Sequence, residues 1–187
     1  LNIVSENLGD GKLRVDQLKN LIRPENEHMV RTQLICLENT HNRWGGRIQP
    51  QETVQEICDW AASHGLKRHL DGARLWNASV ATGLSPRQLS EPFDSISVCF
   101  SKGLGAPVGS ALAGDHDFIQ EARRSRKLFG GGMRQAGIIA AGALHALQEH
   151  RERLAEDHDN AQRLREGCEA CGPLTIRGNR VDTNIVI

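Results

Sequence analysis

An α/β domain of three layers, with helices on both sides of a mostly parallel sheet, is the fold class this sequence predicts, and two observations carry the prediction. Short apolar runs at residues 33–37, 66–70 and 94–100 alternate with stretches of helical periodicity. Each run also stops abruptly at polar or charged residues, as strands do at the edge of an open parallel sheet where ligands bind.

In chain order, Val15, Leu18, Leu21 and Ile22 stand at helical spacing, and Arg23-Pro24 ends a helix predicted over 13–22. The first strand, 33–37, runs into Glu38-Asn39-Thr40-His41-Asn42, a cluster for which an Asx-rich turn is an adequate explanation. Val54, Ile57, Cys58, Ala61 and Ala62 mark one face of a helix over 51–63, and Gly65 reads as its C-terminal stop. A second strand, 66–70, ends at Asp71-Gly72-Ala73-Arg74. A short helix over 75–82 follows, then a helix opened by Ser85-Pro86.

The third strand, 94–100, opens into Ser101-Lys102-Gly103-Leu104-Gly105, and residues 108–113 read as a return strand. Asp115 is an N-cap for a helix to Leu128 with Phe118, Ile119 and Ala122 inward. Three glycines, 130–132, break the chain before a long helix from Met133 to Leu147 with a small-residue face. A last helix over 151–168 alternates acidic and basic residues, the pattern of a solvated surface. Residues 174–176 and 184–187 read as strands of a final unit, so the expected division is a large domain over 1–150 and a linking helix with the start of a smaller domain over 151–187.

The 187 residues, 39% hydrophobic and 25% charged, suffice for one sizeable core. Lys plus Arg equals Asp plus Glu at 23 each, which removes the electrostatic footprint expected of a nucleic-acid or anionic-membrane binder. No apolar run reaches the length of a membrane span. The start has neither an initiator methionine nor a signal peptide, and the end falls within a predicted strand; both suggest a piece of a longer protein. Five cysteines, an odd number, sit mostly in apolar segments; Cys36, Cys58 and Cys99 are expected to be buried, which favours a reducing, cytoplasmic compartment. Cys168 and Cys171 form a CxxC near the end of a helix rather than at its start, and no second pair completes a metal site.

Lys102 sits where a strand opens into a loop. Solvation alone accounts for many such lysines, but a desolvated lysine amine also attacks carbonyls, and glycines on both sides of Leu104 let a ligand approach the backbone. Because parallel strands point their carboxyl ends to one edge, the endings at 38–42, 71–74 and 101–102 are expected to converge. A lysine for a Schiff base and an aspartate to keep a pyridine nitrogen protonated are two ingredients of a pyridoxal phosphate site. Trp76 reads as core, and His69 as a satisfied structural group.

Four segments, His69-Leu70-Asp71-Gly72-Ala73-Arg74-Leu75-Trp76-Asn77-Ala78, Ser101-Lys102-Gly103-Leu104-Gly105-Ala106-Pro107-Val108-Gly109-Ser110, Glu38-Asn39-Thr40-His41-Asn42 and Gly130-Gly131-Gly132-Met133-Arg134-Gln135, closely resemble the low-specificity threonine aldolases, in the family's order. The resemblance implies the aspartate-aminotransferase type of pyridoxal-phosphate fold, fold type I, a homotetramer with sites at subunit interfaces, and cleavage of 3-hydroxy amino acids to glycine and an aldehyde. It implies that Lys102, preceded by Ser101 in the cofactor site, is the Schiff-base lysine. Asp71 would be the partner of the pyridine nitrogen, Arg74 a contact to the phenolic oxygen, and His41 a neighbour of the substrate 3-hydroxyl. Arg134 and Lys127 correspond to basic residues that reach the cofactor phosphate of a neighbouring subunit. The family's phosphate cradle and ring-stacking histidine lie N-terminal to this chain, and its arginine for the substrate carboxylate lies beyond Ile187. Rival readings are a β-eliminating lyase or aminotransferase on the same fold, which need not keep His41, and a non-catalytic fragment that serves subunit association.

Overall fold

The computed structural model describes residues 11–176 and 180–187. Its elements run α1 (Val15–Leu18), β1 (Leu34–Glu38), α2 (Gln51–Ser63), β2 (Lys67–Gly72), α3 (Leu75–Thr82), α4 (Pro86–Ser90), β3 (Ser95–Cys99), β4 (Ser110–Gly114), α5 (His116–Leu128), α6 (Gly137–Glu149) and α7 (Leu154–Ala170), with a 3-10 turn at Asn42–Trp44. The sheet order is β1-β2-β3-β4. The first three strands are parallel, and β4 returns antiparallel to β3. This is the mostly parallel α/β class that the sequence predicts, with the helical layer of only one sheet face present among the described residues.

Strand alternation decides what each face of the sheet does. Ile35, Leu37 and Leu70 point to one side, where they join Val54, Ile57, Cys58 and Ala61 of α2 with Leu75, Ala78 and Leu89 in one buried cluster. Ile57, Cys58 and Ala61 are wholly buried, and removing a side chain the size of Ile57 from water is worth about 1.5–3 kcal/mol. Burial also pushes the Cys58 thiol up to about 11. A second cluster of Leu104, Ala106, Ala146 and Leu154, with Trp76, Val80 and Phe100 packed on it, ties α6 and α7 to α3 and to the loop after β3. The other side of the sheet carries Cys36, Glu38, His69, Asp71, Ser97 and Cys99, all exposed or half-buried. Among the described residues no helix closes that face.

Several local expectations give way for identifiable reasons. Cys36 is exposed rather than buried, because it alternates with Ile35 and Leu37 and falls on the open face; Cys99 is half-buried. The helix expected over 13–22 stops at Leu18: the amide of Arg23 donates to Thr32 Oγ1 instead of continuing a helical ladder, and Pro24 follows. The helix expected from Met133 starts at Gly137, since Gln135 takes a left-handed φ of 50°. The last helix is shifted to Leu154–Ala170. In α5, capped by Asp115 as expected, Phe118 is exposed and Ile119 and Ala122 are only half-buried. This helix lies beside the edge strand β4 and has little to pack on.

Residues 174–176 and 184–187 form no strand; the latter run behind the turn after β1 without a ladder partner. Elsewhere the local signals hold. Ser85 caps α4 in a reciprocal capping box with Gln88 and with Pro86 in the first turn, and Gly65, at φ 67°, ends α2.

A bidentate ion pair clamps the start of β3 to β2. Arg68 Nε and Nη2 donate to Asp94 Oδ2 and Oδ1 at 2.8 and 2.7 Å, and the Arg68 amide donates to Oδ2 at 2.8 Å. The Arg68 hydrogen bonds hold the Asp94 carboxyl at about 2, below its ordinary 3.8. A depressed acid stabilises the fold above its unfolded value and loses that contribution as pH falls through the folded one. Allowing for partial exposure of the pair, the contribution is about 1–2 kcal/mol. Between pH 4 and pH 2 the wild type should therefore lose about that much more stability in urea than Asp94→Asn does. Parallel pH profiles for the two would assign acid sensitivity to other carboxylates.

Candidate active site

The carboxyl ends of β1, β2 and β3 lie side by side because the strands are parallel and paired in register, Glu38 with Asp71 and Asp71 with Ser97. Asp71 is exposed on the open face, and its Oδ1 accepts from the Ala73 amide at 3.1 Å, an Asx turn that fixes the carboxylate as the chain leaves the sheet. Arg74 follows half-buried at the start of α3. The Asn39 amide donates to the Asp71 carbonyl at 3.0 Å, which brings the 39–41 turn beside the end of β2.

His41 pairs with Arg47 across that turn, its amide donating to the Arg47 carbonyl at 2.8 Å. The His41 Nδ1 and Thr40 Oγ1 atoms are buried with no hydrogen-bond partner among the described residues. A buried polar atom left unpaired is costly and marks a place where a ligand or water completes the bonding.

Beyond β3, Ser101 and Lys102 are exposed while Leu104, two residues on, is fully buried. The turn is held at several points. The Gly105 amide donates to the Lys102 carbonyl at 2.8 Å, and the Ala106 amide to Phe100 at 3.0 Å. Trp76 Nε1 donates to the Cys99 carbonyl at 3.0 Å, and His150 Nδ1 bonds the Leu104 carbonyl at 2.8 Å. The flanking glycines serve the protein rather than a ligand. A Cβ on Gly103 would lie 2.7 Å from Leu154 Cδ2, and Gly105 has φ 74°. Lys102 Nζ itself donates to Cys99 Sγ at 3.5 Å.

Lys102, Ser101, Asp71, Arg74 and His41 thus share one edge of the sheet. Arg134 and Lys127 are both exposed, and α5, which carries Lys127 near its end, packs beside β4. His69 is a half-buried structural group, with Nδ1 2.8 Å from Ser95 Oγ and its acidity shifted so that burial favours the neutral ring, against the opposing pull of Asp71. Trp76 joins the second core cluster as expected, and in addition supports the lysine turn.

Sequence reasoning missed the support behind His41. Arg47 and Asp182 form a buried ion pair at 3.2 Å, the Ile48 amide donates to Asp182 Oδ2, and Thr183 Oγ1 donates to the Gly46 carbonyl at 2.8 Å. These partners are about 135 positions apart, and no local pattern announces them. A groove of about 530 Å³ runs along the open edge of β1, lined by Leu13, Leu18, Ile22, Leu34, Glu38 and His41 among others, but not by Lys102 or Asp71.

The chain is 44% identical over 177 residues to the low specificity L-threonine aldolase of Escherichia coli K12, covering 95% of this chain and 51% of that protein. It is 43% identical over 183 residues to low-specificity L-threonine aldolase 1 of Arabidopsis thaliana, covering 97% and 51%. The structure of the threonine aldolase of Leishmania major superposes with a TM-score of 0.82 at 26% identity, over 97% of this chain and 54% of that one. The chain therefore spans about half the length of the relatives it matches. The sequence profile described as beta-eliminating lyase matches residues 2–187, and the chain belongs to that family.

Proposed function

We propose that this chain is part of a pyridoxal-phosphate-dependent aldolase that cleaves threonine and related 3-hydroxy amino acids to glycine and an aldehyde. The observation that carries the proposal is the juxtaposition, on one sheet edge, of an exposed lysine, an exposed carboxylate and a histidine whose Nδ1 lacks a partner. Those three groups suit the cofactor: an amine to bind its carbonyl carbon, a carboxylate for its pyridine nitrogen, and a polar atom still to be satisfied. When bound, pyridoxal phosphate supplies an electron sink for the carbanion left by bond cleavage.

Lys102 anchors the cofactor from a turn whose carbonyls are tied down by Trp76 and His150. Asp71 keeps the ring nitrogen protonated, since a carboxylate favours a cation beside it. Arg74 and Ser101 orient the ring from the starts of the two loops. His41 receives the proton of the substrate 3-hydroxyl, directly or through a water that it orients. Arg134 and Lys127, both exposed, act toward the phosphate of a neighbouring subunit in a homotetramer. Phe129, Leu128, Met133 and Ile138, 86%, 78%, 67% and 88% exposed, supply the apolar surface for that association. Residues 1–150 belong to the cofactor-binding large domain, and 151–187 to a linking helix and the start of a smaller one. No helix among the described residues is long and apolar enough to cross a membrane, and five free cysteines suit a reducing, cytoplasmic setting.

Product analysis of the full-length protein with threonine separates the readings. Glycine and acetaldehyde in equal amounts are expected; ammonia and a keto acid would make it a β-eliminating lyase instead.

A further inference from the structure

The contact between Lys102 and Cys99 lies outside the chemistry assigned above. Lys102 Nζ is 3.5 Å from Cys99 Sγ, and among the described residues no carboxylate is within ion-pair distance of this lysine. Both backbones are held: Cys99 by its pairing with Ser110 and by Trp76, Lys102 by the Gly105 amide. The fixed backbones thus keep the two side chains within reach of each other. They lie on the open side of the sheet, where Cys99 is half-buried and Lys102 exposed, so a small oxidant reaches both.

Neither Cys36 nor Cys58 offers Cys99 a disulfide. Cys36, the other cysteine on this face, is two strands away and four residues lower in register, roughly 16 Å by strand geometry, far beyond the reach of a disulfide. Cys58 lies in the core on the opposite side. The group that the structure places against Cys99 Sγ is the lysine amine, at 3.5 Å.

We propose that Cys99 and Lys102 form a reversible oxidative crosslink, Sγ–O–Nζ, that withdraws the lysine from carbonyl chemistry. The thiol loses its S–H bond and the neutral amine one N–H bond, while S–O and O–N bonds form. Sulfur and nitrogen each give up two electrons, and the four reduce dioxygen. One oxygen atom stays in the bridge, and the other leaves as water with the two protons. Two molecules of dithiothreitol return the four electrons, regenerating thiol and amine and releasing water. The inhibitory consequence rests on the reading of Lys102 as the cofactor lysine; the crosslink does not.

The test compares full-length protein, free of cofactor, held in oxygen-saturated buffer with the same protein held anaerobically. The oxidised sample should gain the mass of one oxygen atom less two hydrogens. Trypsin should then fail to cut after Lys102, leaving a single peptide from Gln88 to Arg123, and dithiothreitol should restore both mass and cleavage. Cys36→Ser should still form the product, and Cys99→Ser should not. Normal cleavage after Lys102, with Cys99 recovered as thiol or only as a sulfur oxyacid, would overturn the proposal. Borohydride labelling of Lys102 in protein loaded with pyridoxal phosphate reports separately on the cofactor reading, so failure of either is recognised without the other.

Discussion

Lys102→Ala in the full-length protein should lose all covalent retention of pyridoxal phosphate after borohydride reduction and should cut aldol cleavage on the order of a thousandfold or more. The effect follows from chemistry, since alanine offers no amine, and not from damage to the fold. Lys102 is exposed at the end of β3, and the turn beyond it is set by Leu104 burial and by the Trp76 and His150 hydrogen bonds, none of which involves the lysine side chain. The melting temperature should accordingly stay within the small range usual for a surface substitution. Peptide mapping of the reduced wild type checks the assignment directly. A label on Lys67 or Lys127 in place of Lys102 would remove Lys102 from the mechanism.

Asp71→Asn should retain the borohydride label at Lys102 yet slow cleavage roughly 10- to 1000-fold, because a neighbouring carboxylate raises the affinity of a cationic nitrogen for its proton by about 1–3 pKa units. The amide keeps the shape and can still accept from the Ala73 amide, so the turn into α3 should survive. Two readouts distinguish this from a structural lesion. Cofactor binding should weaken far less than turnover falls, and the bound cofactor's absorbance should titrate at lower pH in the variant than in the wild type. Unchanged turnover would give Asp71 another role.

Much of the site was legible because its residues sit at strand ends, and strand ends are punctuated locally. The apolar runs before Asp71 and Lys102 mark where the sheet stops, and parallel pairing then carries those ends to one edge whatever their separation along the chain. His41 was legible as part of a polar ending, but not the state of its ring, since the orphaned Nδ1 depends on neighbours that only the folded turn supplies. Arg134 was legible as a basic residue of a matching segment and Lys127 through the same resemblance; that both side chains are exposed was not.

What the sequence determined by itself is the alternation of elements and the helix stops and caps, because these rest on interactions between residues a few positions apart. Gly65 ends α2, Ser85 with Gln88 opens α4, and Asp115 caps α5 for reasons contained in their own neighbourhoods. The tertiary structure alone decided which strand face is covered, and so why Cys36 is exposed while Cys58, with similar apolar neighbours, is fully buried. It decided that Gly103 is a glycine because Leu154 presses on it, and that Asp182 and Thr183 brace the turn behind His41. It also withheld strands from 174–176 and 184–187, because a strand needs a partner ladder and a stretch of sequence carries no record of whether one stands beside it.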